Sequence, residues 1–227
     1  MVGRARHNNS VKGEQSMSLM TEALERISIY SHLTRPGRSR EEVQRQLSFF
    51  PFKLADEVYE FYQWAGAPIG DRFPDGWDGF YNNNSTYYCS LERFLGSASD
   101  LIYFRSLEEA EKDYPHYSRN ADIYNVKCLP FVSYENGELG IAGSETQIDV
   151  SPVLQREDGD DKLWFPSLTN MILAIAESLE TIGTLLPGCT YDENGDLPDR
   201  DEVRKQGERW TEIAKKYGSP TGAILTN

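Results

Sequence analysis

Three histidines, His7, His32 and His116, and three cysteines, Cys89, Cys128 and Cys189, are the side chains of this 227-residue chain best suited to nucleophilic or metal chemistry. Their spacing argues against both. The cysteines are odd in number and far apart, forming neither the C-x-x-C pairs of a zinc site nor an even disulfide framework, so three reduced thiols are expected. A Cys89–His116 nucleophile pair would need a local signature that neither neighbourhood carries, and a His-based triad has few members to draw on. The chain contains no G-x-x-x-x-G-K-[ST], G-x-G-x-x-G, G-x-S-x-G or H-E-x-x-H, which removes the commonest routes to nucleotide binding, serine hydrolysis and zinc proteolysis. Asp192-Glu193-Asn194-Gly195-Asp196 begins like a calcium loop, but that loop requires Gly at its sixth position and Glu at its twelfth, where this chain has Leu197 and Val203. It reads as a solvated turn. Glu157-Asp158-Gly159-Asp160-Asp161 reads as a mobile acidic loop. The expectation is a protein without a cofactor or resident metal, and not an enzyme.

Aromatic side chains beside carboxylates suit recognition instead, because a large ring with a polar neighbour makes an effective interface anchor. Tyr59, Glu60, Tyr62 and Trp64 fall within one helical segment, and Asp71, Trp77 and Trp164 lie beyond it. These seven are the candidate partner-binding residues. Covering a sheet remains the competing role for Tyr59 and Tyr62, and a place in the core for Trp77 and Trp164. Residues 67–88, rich in Gly, Asp, Asn and rings, read as a packed loop or an insertion. The alternative reading uses its 71–88 portion, with Asp71, Trp77 and Tyr81, as the pocket of a small-molecule sensor or an unrecognised enzyme.

The elements that must carry these residues are legible from periodicity. Met20, Leu24, Ile27 and Tyr30 predict a helix over Leu19–His32. Ser39 and Glu42 form a capping box for a short second helix ending near Leu47. Leu54, Val58, Phe61 and Ala65 make the buried stripe of a third, which Gly66 can end. Ser106 and Glu109 offer another capping box, opening a helix that contains Ala110 and Tyr114. Leu129–Val132 and Leu139–Ala142 flank Asn136-Gly137, a hairpin signal, and Ile148, Val150 and Val153 suggest a further strand. Ser167 can cap a long amphipathic helix through Ile182, and a final helix runs from Asp199 or Arg200 to Tyr217. Helices flanking a run of strands give the α+β class. Residues 1–18 lack apolar periodicity and read as a disordered lead. Residues 19–217 read as one domain with a core over about 20–183, and 218–227 as a tail. Met17 and Met20 leave the translation start open.

Three segments also resemble a known family by order and spacing: Phe52-Lys53-Leu54-Ala55-Asp56-Glu57-Val58-Tyr59-Glu60-Phe61-Tyr62-Gln63-Trp64, then Phe104-Arg105-Ser106-Leu107-Glu108-Glu109-Ala110, then Phe165-Pro166-Ser167-Leu168-Thr169-Asn170-Met171. Together they resemble the SUKH superfamily, the Smi-one/Knr-four group of cell-wall-assembly regulators and bacterial relatives, several of them toxin-neutralising immunity proteins. The bacterial pattern reads Leu-Pro-x-Glu-Val, then Leu-Tyr-x-Trp and Asn-Gly. Here Ala55 replaces the proline, Phe61 the leucine, and Ala65-Gly66 the Asn-Gly. The resemblance implies a mixed, largely antiparallel sheet flanked by helices, and a role in protein binding, either neutralising a toxin or scaffolding a regulatory complex.

Net charge is −13. Residues 1–50 hold eight Lys and Arg against five Asp and Glu, and the rest of the chain 15 against 31. An acidic body repels nucleic acid phosphates, so direct DNA or RNA binding is not expected. The same field favours a basic protein partner such as a nuclease toxin, although ordinary acidic solubility is the simpler reading of the charge. No apolar run reaches the length of a membrane span and the start lacks the apolar segment of a secretory signal, so a cytoplasmic location without membrane contact is expected. The oligomeric state is left open.

Overall fold

A computed structural model describes residues 17–28, 37–64, 103–119, 127–134, 137–157, 160–182, 200–220 and 222. Five strands, β1 (Tyr103–Phe104), β2 (Cys128–Tyr134), β3 (Gly137–Ala142), β4 (Val153–Glu157) and β5 (Asp160–Phe165), pair in chain order. Every pairing is antiparallel. Among the described residues six helices accompany them: α1 (Leu19–Ser28), α2 (Arg40–Leu47), α3 (Asp56–Trp64), α4 (Leu107–Arg119), α5 (Leu168–Ile182) and α6 (Arg200–Lys216). The class is α+β, with an antiparallel sheet among the described residues.

The pleat decides which face is apolar, because directly opposed residues point the same way. Leu129, Ile141, Val153 and Phe165 line up across β2 to β5. All four are fully buried, in the core cluster that also holds Val58 and Phe61 of α3 and Met171, Ile172, Ile175 and Leu179 of α5. Two bulges enlarge that face. The register skips Phe131 in β2 and Trp164 in β5, and an extra residue re-aims a side chain. Consecutive residues Phe131 and Val132, and Trp164 and Phe165, are therefore all buried, where strict alternation would expose one of each pair. Trp164 is thus a core side chain and not a partner contact.

Both capping boxes form. The Glu42 N–H donates to Ser39 Oγ at 3.2 Å while the Ser39 N–H donates to Glu42 Oε2 at 2.9 Å. The Glu109 N–H and the Ser106 N–H make the same exchange at 3.2 and 2.8 Å. The two helices are then tied together: Arg38 holds Glu108 through two bonds of 2.6 and 2.7 Å, and Gln46 donates to the same carboxylate at 2.6 Å. Partial burial works to raise the Glu108 carboxyl, but these donors outweigh it and hold it at about 2.

Four expectations are corrected. Ser18 is not part of a disordered lead, since its hydroxyl caps α1 by accepting the Thr21 N–H at 3.0 Å. Ile148 and Val150 precede the strand, which begins at Val153; Val150 is exposed, so their apolar character reflects a surface segment. Of the acidic run 157–161, Glu157 ends β4 and Asp160 and Asp161 open β5, with Glu157 opposite Asp160, so these three belong to strands and not to a mobile loop; Asp158 and Gly159 lie outside the described residues. Tyr134 pairs with Gly137, which puts Gly137 inside β3 instead of at the centre of the turn. Ala65, Gly66, the 67–88 loop, Asp192–Asp196 and residues 1–16 lie outside the described residues.

α6 is clamped onto α5 at its C-terminal end. Gly218 takes φ 87°, and the Ser219 N–H reaches the Ala214 carbonyl while the Gly218 N–H reaches that of Lys215, both at 3.0 Å. This is the Schellman closure that glycine permits. Lys216 Nζ and Tyr217 Oη bond Glu177 at 2.5 and 2.7 Å, Asn170 Nδ2 bonds the Tyr217 carbonyl at 2.9 Å, and the Trp210 ring packs 6.4 Å from that of Phe165. Gly207, midway along α6, has no heavy atom within 4 Å of where a Cβ would stand. Gly207→Ala should therefore stabilise the protein by about 0.5–1 kcal/mol, through helix propensity alone. Urea unfolding tests this, and a loss of stability would contradict the open environment.

Candidate functional site

The nominated aromatic helix, α3, divides its residues between two roles. Ala55, Val58, Phe61 and Tyr62 are buried, forming a face wide enough to pack against α1 on one side and α2 on the other. Tyr62 stands four residues after Val58 and so extends the apolar stripe. Complete burial removes it from partner contact, and burial pushes its hydroxyl pKa up. Tyr59, Glu60 and Trp64 stay partly exposed. Arg40 lies over the Tyr59 ring, 5.5 Å from its centroid, and also bonds Asp56 at 2.8 Å. Burial raises the Tyr59 hydroxyl pKa as well. Glu60 accepts from Ser18 Oγ and from Thr21 Oγ1, the latter at 3.2 Å, so its carboxylate fastens the start of α1. Trp64 packs on the core, 6.5 Å from the Phe61 ring. Asp71 and Trp77 lie outside the described residues. Of the seven, then, Tyr59 and Trp64 present rings at the surface, with the Arg40–Asp56 pair beside Tyr59.

Glu57, one residue before Val58, has a different task. Its carboxylate is 8% exposed and accepts the Ser151 N–H at 2.6 Å, the Thr169 N–H at 2.8 Å and the Leu168 N–H at 3.3 Å, together with the Thr169 hydroxyl. Leu168 and Thr169 open α5, whose positive dipole end favours an anion; the Leu168 N–H also donates to the Ser151 carbonyl at 2.9 Å. Ser151 Oγ in turn accepts the Ala55 N–H at 2.9 Å. Residues 52–64 and residues 165–171 are joined here.

The second segment enters a charged row on the opposite face of the sheet. Glu138 of β3, Arg156 of β4 and Asp161 of β5 are directly opposed. Arg156 Nη1 bonds Glu138 at 2.8 Å and its Nε bonds Asp161 at 2.8 Å. Arg105, fixed by its N–H to the Phe131 carbonyl at 2.8 Å, reaches Asp113 of α4 at 2.6 Å and Glu138 at 3.7 Å. Charges alternate from Asp113 through Arg105, Glu138 and Arg156 to Asp161. Arg105, Glu138 and Arg156 are buried while the two aspartates reach solvent. Each carboxylate is held by a guanidinium, which makes the row a framework and not a proton-transfer site. Arg105 belongs to the second segment, whereas Glu138, Arg156 and Asp161 carry no local pattern in the sequence that marks them as a group. A charged residue amid each strand was the available signal, and only the hairpin registers bring them together.

Cys128 sits beside this row. A Cβ on Gly140 would meet its Sγ at 2.2 Å and Arg156 Cδ at 3.3 Å. Burial pushes the Cys128 thiol up to about 12, so it stays protonated and unreactive near neutral pH. In a Cys89→Ser/Cys189→Ser variant, alkylation at pH 8 should accelerate at least about 100-fold on unfolding; equal native and unfolded rates would contradict the burial. Among the described residues no group of three or more His, Cys, Asp and Glu side chains could hold a metal ion, and no helix is long and apolar enough to cross a membrane. No family model matches the chain, and no curated protein does.

Proposed function

We propose that this chain is a non-enzymatic, cytoplasmic protein-binding or regulatory module of the SUKH type, whose partner is a basic protein, a toxin or nuclease being the kind the resemblance implies. The observation that supports this reading is the junction at Glu57. The segments that carry the resemblance lie far apart in sequence, yet Glu57 of the first caps the helix opened by the third, and Arg105 of the second is locked into the sheet. Residues so placed maintain a scaffold. The net charge of −13 would attract and orient a basic partner, chiefly by raising the association rate.

The test is affinity capture of the full-length tagged chain from its native lysate, followed by reconstitution from purified components. The expected result is one basic protein in fixed ratio, with any toxic or nuclease activity abolished by one equivalent of the chain. An acidic or nucleic-acid partner, or turnover of a small molecule by the purified chain, would overturn the proposal.

A further inference from the structure

β5 ends the strand order of the sheet, and among the described residues no strand lies beyond it. Asp160, Asp161, Lys162 and Leu163 are exposed, whereas Trp164 and Phe165 are buried, so the rim is open along the first part of the strand. An outermost strand directs one set of main-chain N–H and C=O groups away from its neighbour, where another strand can pair with them. The register with β4 fixes the faces: Asp161 stands opposite Arg156 and Leu163 opposite Leu154, while Lys162 stands opposite Gln155 and Asp160 opposite Glu157. Asp160 and Lys162 therefore share one face, and Asp161 and Leu163 the other. Asp161 is held at 2.8 Å by Arg156 of its own chain. Asp160 and Lys162, opposite in sign and two positions apart, have no ion-pair partner among the described residues.

We propose that the outer edge of β5 is a self-association surface, on which a second copy of this chain adds its own β5 antiparallel about Asp161. An edge lysine ordinarily keeps a strand from pairing, because its charge finds no partner on the incoming chain. Here the same strand supplies that partner. With Asp161 on the two-fold axis, Asp160 of each copy lies opposite Lys162 of the other, giving two reciprocal pairs of opposite charge. The neighbouring register that keeps the faces matched sets Lys162 against Lys162 and Asp161 against Leu163, so the side chains themselves select the first. The two Asp161 carboxylates that meet on the axis are each offset by their own Arg156. A contact centred on so few residues buries less than a stable interface does, so the dimer is weak and reversible. Exposed ion pairs contribute little affinity each, and these two act chiefly by fixing the register. This association goes beyond the partner reading above and stands without it.

Sedimentation of the full-length chain from about 5 to about 500 µM, at about 0.15 M salt where repulsion between the acidic bodies is screened, measures the association. The average mass should rise from that of one chain towards that of two, and amide exchange over residues 160–163 should slow as concentration increases. Asp160→Lys and Lys162→Asp should each associate at least about 10-fold more weakly, because each sets like charges opposite one another twice. An equimolar mixture of the two variants should associate as the wild type does, since both Asp–Lys pairs are then restored between unlike copies. A chain that stays monomeric at the highest concentration would overturn the proposal. So would variants that associate like the wild type, a mixture that does not recover, or concentration-dependent protection that leaves β5 unchanged.

Discussion

Replacing Glu57 by Gln should lower the stability of the protein by about 3 kcal/mol, because an amide offers one acceptor oxygen where the carboxylate offers two and sets an NH2 group against remaining donors. The backbone amides of Ser151 and Thr169 and the Thr169 hydroxyl depend on that carboxylate, while the Leu168 amide, 3.3 Å from it, also donates to the Ser151 carbonyl at 2.9 Å. A buried donor left unsatisfied costs about 1–3 kcal/mol, so even partial rearrangement leaves a large deficit. For a domain of this size the midpoint of thermal unfolding should fall by roughly 6–12 °C. Denaturant titration of wild type and Glu57→Gln measures the difference. A change within about 0.5 kcal/mol, the range of ordinary surface substitutions, would show that the junction carries no weight.

The second large effect concerns the charged row, where single and concerted replacements should diverge. Arg156→Met removes the 2.8 Å partner of Glu138, 6% exposed, whose contact to Arg105 is longer at 3.7 Å, and deprives Asp161 of its 2.8 Å partner. Breaking a buried pair from one side costs about 3–5 kcal/mol, while exchanging the whole group for apolar residues is often neutral or stabilising. Asp161 and Asp113 reach solvent, 25% and 41% exposed, so they can rehydrate once the guanidinium groups are gone. Arg156→Met alone should therefore cost about 3 kcal/mol, and the triple variant Arg105→Met/Glu138→Leu/Arg156→Met should return to within about 1 kcal/mol of wild type. A triple variant as unstable as the summed single replacements would mean that the charges contribute net stability themselves.

Both features bear on what the sequence could and could not reveal. Helix starts were legible because capping is local: Ser39 with Glu42 and Ser106 with Glu109 each satisfy free amides within four residues. The apolar period of α5 likewise marks its buried residues directly. β5 was not recognised as a strand. Asp160, Asp161 and Lys162 read as loop chemistry, and they tolerate a strand only because β4 supplies partners in register. Trp164 illustrates the same limit, since a bulge turns it inward beside Phe165, and a bulge depends on pairing that no single segment encodes. Tyr62 differs from its expected surface role for a simpler reason: a helix flanked by two others buries a wider face, and Tyr62, four residues after Val58, falls within it.

The candidate site was the less legible part. Tyr59 and Trp64 keep a share of the surface, whereas the carboxylate of Glu60 is committed to Ser18 and Thr21. The segments that resemble a family proved to be those whose side chains close the fold, with Glu57, Leu107, Ser167 and Leu168 all buried. Such residues are constrained by packing and hydrogen bonding whatever the partner.

Amide hydrogen exchange at Ser151 and Thr169, read by NMR on the wild-type protein and on Glu57→Gln, most directly tests the claim that one carboxylate joins residues 52–64 to residues 165–171. The account predicts that both amides are strongly protected in the wild type and lose protection at least about 100-fold in the variant, a cost of about 2.7 kcal/mol or more, while α6 amides change only by the global loss of stability. Fast exchange at these two positions in the wild type would contradict it.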